Sequence, residues 1–102
     1  MSKWSLDCVK KIEIDVADFI VRRMPTTPVI RTPNLYNAML TANTEEHYQS
    51  ASICVVNTES GWFLMSKCDK HRFETVVSRV TAMYHHCTEI ERKLDGMRHN
   101  QL

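Results

Sequence analysis

Glycine and proline are scarce in this chain, with two and three occurrences in 102 residues. Turn-dense all-β folds draw on both, glycine for positive φ and proline for a fixed φ. Their scarcity points to helices joined by short connections. No charge of one sign dominates either: 13 Lys and Arg face 12 Asp and Glu, for a net charge of +1. Such a balance supplies no electrostatic drive towards nucleic acid or an anionic membrane. No stretch approaches the roughly 18 apolar residues of a membrane span. The opening MSKWSLDC has no apolar run of signal-peptide type, and no Asn-x-Ser/Thr sequon occurs. Cys8, Cys54, Cys68 and Cys87 are irregularly spaced, as thiols of a reducing compartment would be, so a cytoplasmic location is expected.

What is present is ordinary globular composition, 43% apolar and 25% charged. It predicts one folded domain over residues 1–102, near the lower limit for a self-sufficient core. Over residues 4–24, Val9, Ile12, Val16, Phe19 and Ile20 recur at helical steps and predict a first helix, N-capped by Ser5 and stopped by Pro25. The alternation in Ile12-Glu13-Ile14-Asp15-Val16 offers a rival strand reading. Val29 and Ile30 suit a short strand. Thr32-Pro33 reads as the start of a second helix that buries Leu35, Met39 and Leu40, with a further turn in EEHYQS. Residues 51–57 and 62–67 read as two strands of a hairpin around Thr58-Glu59-Ser60-Gly61. Both strands are apolar on both faces over part of their length, which predicts a sandwiched hairpin.

A last helix is expected over about 69–98, opened by a capping box in Ser66-x-x-Asp69, or at least an N-cap with an acid in the first turn. Phe73, Val76, Val80, Met83, Cys87, Ile90, Leu94 and Met97 follow a 3-4-3-4-3-4-3 spacing, an a/d pattern over nearly four heptads. Such a helix is about 40 Å long, longer than a domain of this size is wide. The stripe therefore has two readings: internal core, widened by Val77 and Tyr84, or a homodimer interface. In a parallel pair His86 would approach Glu91 and Arg79 would approach Tyr84, with one poor contact between Lys93 and Arg98, and Cys87 would face its own copy. An antiparallel pair would set the basic flank of Arg79, His86 and Lys93 against itself. The fold class expected is α+β: two N-terminal helices, a β-hairpin and a long amphipathic C-terminal helix.

Candidate chemistry is sparse. Cys68-x-x-His71 and His85-His86-Cys87 hold ligand types for zinc, but consecutive side chains on a helix diverge by about 100° and the two groups lie more than three turns apart. Cys68 and His71 are therefore only weak metal candidates, and weak candidates for a thiol activated at a helix start. With two glycines no phosphate-cradling loop exists. No catalytic residue and no cofactor are expected.

The order helix, short strand, helix, short helix, hairpin, long helix resembles the winged-helix layout of small dimeric bacterial regulators, which implies DNA binding with the last helix dimerising. The charge pattern opposes it: Thr32 to Ser66 contains no Lys or Arg but has Glu45, Glu46 and Glu59. That window instead holds groups favoured at protein interfaces, and Tyr36, Met39, Tyr48, Trp62 and Phe63 are the candidate partner surface. The expected function is that of a small non-enzymatic regulatory or adaptor protein acting by protein–protein contact, as a homodimer. Size and composition also suit a phage- or virus-type inhibitor of a host protein. A winged-helix-like DNA binder and a zinc- or thiol-dependent protein are the alternatives.

Overall fold

The computed structural model describes residues 3–67 and 69–100, with side chains through Met97. Its architecture is mixed α+β, with strands β1 (Val9–Ile12), β2 (Val29–Arg31), β3 (Ile53–Thr58) and β4 (Gly61–Ser66). The helices are α1 (Ile14–Arg23), α2 (Leu35–Thr44) and α3 (Lys70–Asn100). One sheet of order β1-β4-β3-β2 organises the rest, antiparallel except where β2 runs parallel to β3.

The hairpin strands β3 and β4 occupy the centre of this sheet, as their two-faced apolar sequence requires. Ile53 and Val55 point to one side and Cys54 and Val56 to the other, and all four are buried. Gly61 closes the turn at φ 121°, a region that a side chain would disfavour. α1 and α3 cover the first face around Ile20, Val55, Leu64 and Phe73. α2 and the N-terminal segment cover the second around Trp4, Ile30, Val56 and Met65. The connection from β1 to β2 crosses the sheet one way and that from β2 to β3 returns. Crossovers of one hand running in opposite directions lie on opposite faces, which places α1 and α2 on different sides.

The structure corrects several expected boundaries. The first helix does not span 4–24: a 3-10 turn at Leu6–Cys8 leads into β1, and α1 begins only at Ile14. Val9 to Ile12 pairs with Met65 to Trp62, so cross-strand pairing prevails over a helical spacing that continued through these residues by coincidence. The cap of α2 is Asn34, whose Oδ1 accepts the Asn37 N–H at 2.9 Å. At the start of α3 it is Asp69 whose side chain caps the helix. Ser66 is a buried β4 residue, and Asp69 Oδ1 accepts the Arg72 N–H at 2.9 Å. The short strand at Val29–Arg31 and the turn at Glu46–Tyr48 form where expected.

Trp4 locks the N-terminal segment to the second face. Its N–H donates to Asn43 Oδ1 at 2.9 Å and its C=O accepts from Asn43 Nδ2 at 3.0 Å, while the ring is 3% exposed. The indole Nε1 is a buried donor with no hydrogen-bond partner among the described residues. Packing, not the indole hydrogen bond, is therefore what Trp4 contributes. Trp4→Ala should lower stability by about 3–5 kcal/mol. Trp4→Phe should cost less than about 1.5 kcal/mol because the donor it removes is unsatisfied. Chemical denaturation of the two variants checks the difference.

Candidate functional site

α3 is 31 residues long, about 46 Å at 1.5 Å per residue. The molecule measures 55 × 27 × 22 Å with a radius of gyration of 15.8 Å, against roughly 13 Å for a compact chain of this length. The excess is the C-terminal part of α3, which overhangs the body.

The eight-residue stripe consequently divides. Phe73 is buried, and Val76, Val80 and Cys87 pack against the first-face core together with Val77 and Tyr84. The Tyr84 ring stands edge-on to Phe19 at 5.6 Å. Met83, Ile90, Leu94 and Met97 are 53%, 43%, 49% and 58% exposed. The cause is geometric. A 3-4 spacing averages 3.5 residues per turn whereas a straight α-helix has 3.6, so the stripe drifts by about 20° per heptad. Stepping 100° per residue, the exposed four lie roughly a quarter-turn round from Phe73, Val77, Val80 and Tyr84. Past Cys87 the core-facing direction is taken by Glu91 and Asp95, both exposed. The overhang is therefore polar beneath and apolar on one flank.

Local bonds stiffen this segment only modestly. The Thr88 hydroxyl donates to the Tyr84 carbonyl at 2.8 Å, and Arg92 lies 3.8 Å from Glu89. Arg79, His86 and Lys93 follow the apolar flank at seven-residue steps, and none of them has a carboxylate partner among the described residues.

The other candidate residues are dispersed. Met39, Tyr48 and Phe63 are half-buried against the second-face core, Trp62 lies on the opposite face, and Tyr36 is 62% exposed on α2. Sequence reading placed Ile14 and Val21 on no surface of interest, because it ran one helix through β1. They are 62% and 37% exposed beside Trp62 on the first face. The alternation around Ile12–Val16 was the signal that could have found them. His71 is exposed, and its carbonyl accepts the Thr75 hydroxyl at 3.2 Å. Cys68 lies outside the described residues. Among those described, no three His, Cys, Asp or Glu side chains converge on a metal-sized site, and no helix is long and apolar enough to cross a membrane.

Comparison of the chain with protein-family models, with curated proteins and with solved structures finds no match. The class that fold and surface define is thus a three-layer α+β domain with an overhanging, one-sided apolar helix.

Cys54 is wholly inaccessible at the centre of the sheet, and burial pushes its thiol up to about 12. The unfolded chain ionises first, near the ordinary thiol value of about 8.5. The resulting stability is complete below that pH and is lost as pH rises towards 12. Tyr48, raised by burial and by Glu45, acts in the same direction. Denaturation midpoints should fall across this alkaline window, and less steeply in Cys54→Ala.

Proposed function

We propose that this chain is a small, non-enzymatic regulatory or adaptor protein that works by protein–protein contact, as a homodimer joined through the overhang of α3. The observation that carries this reading is the exposed row Met83, Ile90, Leu94 and Met97, of which the last three lie beyond Cys87 on a segment with no core beneath it. A lone helical segment of about 13 residues is marginal in water, and a partner helix would shelter its apolar flank. The same 3.5-residue period that turns the stripe away from the body suits a supercoiled partner.

The charges mildly favour a parallel pair, against one poor contact between Lys93 and Arg98. Antiparallel packing would oppose the Arg79, His86 and Lys93 flanks. Parallel packing brings His86 beside Glu91 and sets Cys87 against its own copy. The eight exposed side chains of a pair would contribute on the order of 10 kcal/mol, close to what association costs, so the dimer is weak and concentration-dependent. A reducing, intracellular setting such as the cytoplasm fits the thiols, and a phage- or virus-type inhibitor of a host protein fits the size.

Light scattering on a sizing column in reducing buffer tests the reading. The mass should climb from monomer to dimer with concentration. Ile90→Asp should hold the chain monomeric with the melting temperature of the dilute, monomeric wild type, whereas Val80→Asp should lower the melting temperature below that value, because Val80 packs in the core. Mild oxidation should cross-link the wild type through Cys87 and leave Cys87→Ser uncoupled. A monomer at every concentration up to about 1 mM would sink the homodimer. A proven dimer with an inert Cys87 would exclude the parallel register.

A further inference from the structure

On the first face, away from the α3 overhang, a groove runs between α1 and the outer edge of the sheet. Ile14, Ala17 and Val21 of α1, Val29 of β2 and Trp62 of β4 enclose an apolar hollow of about 210 Å³, with Arg31 and Asp18 at its margin. β2 is a terminal strand. Val55 donates to the Pro28 carbonyl and the Thr32 N–H donates to Asn57, each at 3.0 Å. Even-numbered residues of this segment therefore face β3, and Val29 and Arg31 turn their N–H and C=O groups outward. The opposite edge, β1, carries exposed Lys10 and Lys11 at its middle, charges that discourage strand pairing. The β2 edge has no such pair of lysines.

The electrostatics are one-sided. The Arg31 guanidinium stands 5.5 Å from the Trp62 ring centroid and reaches Asn57 Oδ1 at only 3.5 Å. No carboxylate pairs with it among the described residues. Asp18, the one acid lining the groove among the described residues, is already held by Arg22 at 2.9 Å.

We propose that this groove is a docking site for an extended peptide segment of a partner protein, which adds as a strand to β2. Added strands keep a two-residue side-chain period, so two partner residues in an i, i+2 relation meet Val29 and Arg31 on the same face. The one beside Val29 places an apolar side chain in the hollow, and the other sets a carboxylate against Arg31. The recognised element is apolar-x-acidic, or its reverse if the strand runs the other way. A second copy of this chain fits poorly: pairing β2 with itself about Ile30 would put Arg31 opposite Val29 and leave the guanidinium uncompensated. The site is separate from the α3 stripe and does not depend on the dimer.

Selection of random heptapeptides on the full-length chain, followed by fluorescence polarisation with the selected peptide, tests the proposal. Enriched peptides should share the apolar-x-acidic pattern. Arg31→Glu should weaken binding at least tenfold with the melting temperature unchanged, and Ile14→Glu should do likewise. A peptide with Lys in place of its acid should recover affinity for Arg31→Glu. The absence of any enriched family would overturn the proposal. So would peptides whose affinity survives Arg31→Glu and is lost in Ile90→Asp, because they bind the α3 stripe instead.

Discussion

A pair of adjacent strands that is apolar on both faces cannot leave either face in water, and that constraint on β3 and β4 shapes the whole molecule. Cys54, Val55, Val56 and Met65 are fully inaccessible and Leu64 nearly so. To bury them the hairpin has to be flanked by strands and covered above and below. β1 and β2 supply the flanks, α1 and α3 one cover, α2 and Trp4 the other. The hairpin is thus the centre of a sheet and not a projecting wing, whatever the order of elements along the chain suggests.

The same requirement explains why α3 is used only in part as a cover. A first face about four strands wide is already shared with α1, and the helix crosses it within its N-terminal half. Burial of Phe73 and the half-buried Val76, Val77, Val80 and Tyr84 complete that face. The remaining turns have nothing to pack on. Their apolar flank is also rotated away from the body, because seven-residue spacing and helical pitch do not match. The free flank of α3 and the groove beside β2 lie on different parts of the surface, one helical and one strand-like.

The fold was legible to different depths along the chain. Ile53–Thr58 and Gly61–Ser66 could be read because β-branched and aromatic residues flank a glycine-closed turn. α3 could be read because its stripe misses no step. The N-terminal quarter was misread, since Val9 and Ile12 suit a helix face as well as an edge strand, and short apolar segments do not separate the two periods. With that strand went the groove: Ile14 opens α1 only because β1 ends two residues earlier. Of the suspected partner surface, Trp62 borders the groove, while Met39, Tyr48 and Phe63 line the second-face core.

Residue order alone decided the class of fold, the central hairpin and the long helix, because each rests on a local period or a turn that neighbours in sequence specify. Tertiary structure decided which apolar residues are core and which are surface. The eight-residue stripe of α3 is uniform in sequence, and nothing in it marks Cys87 as the last residue with a body to pack against. That boundary depends on the width of the sheet beneath it, a distance set by strands more than twenty residues away.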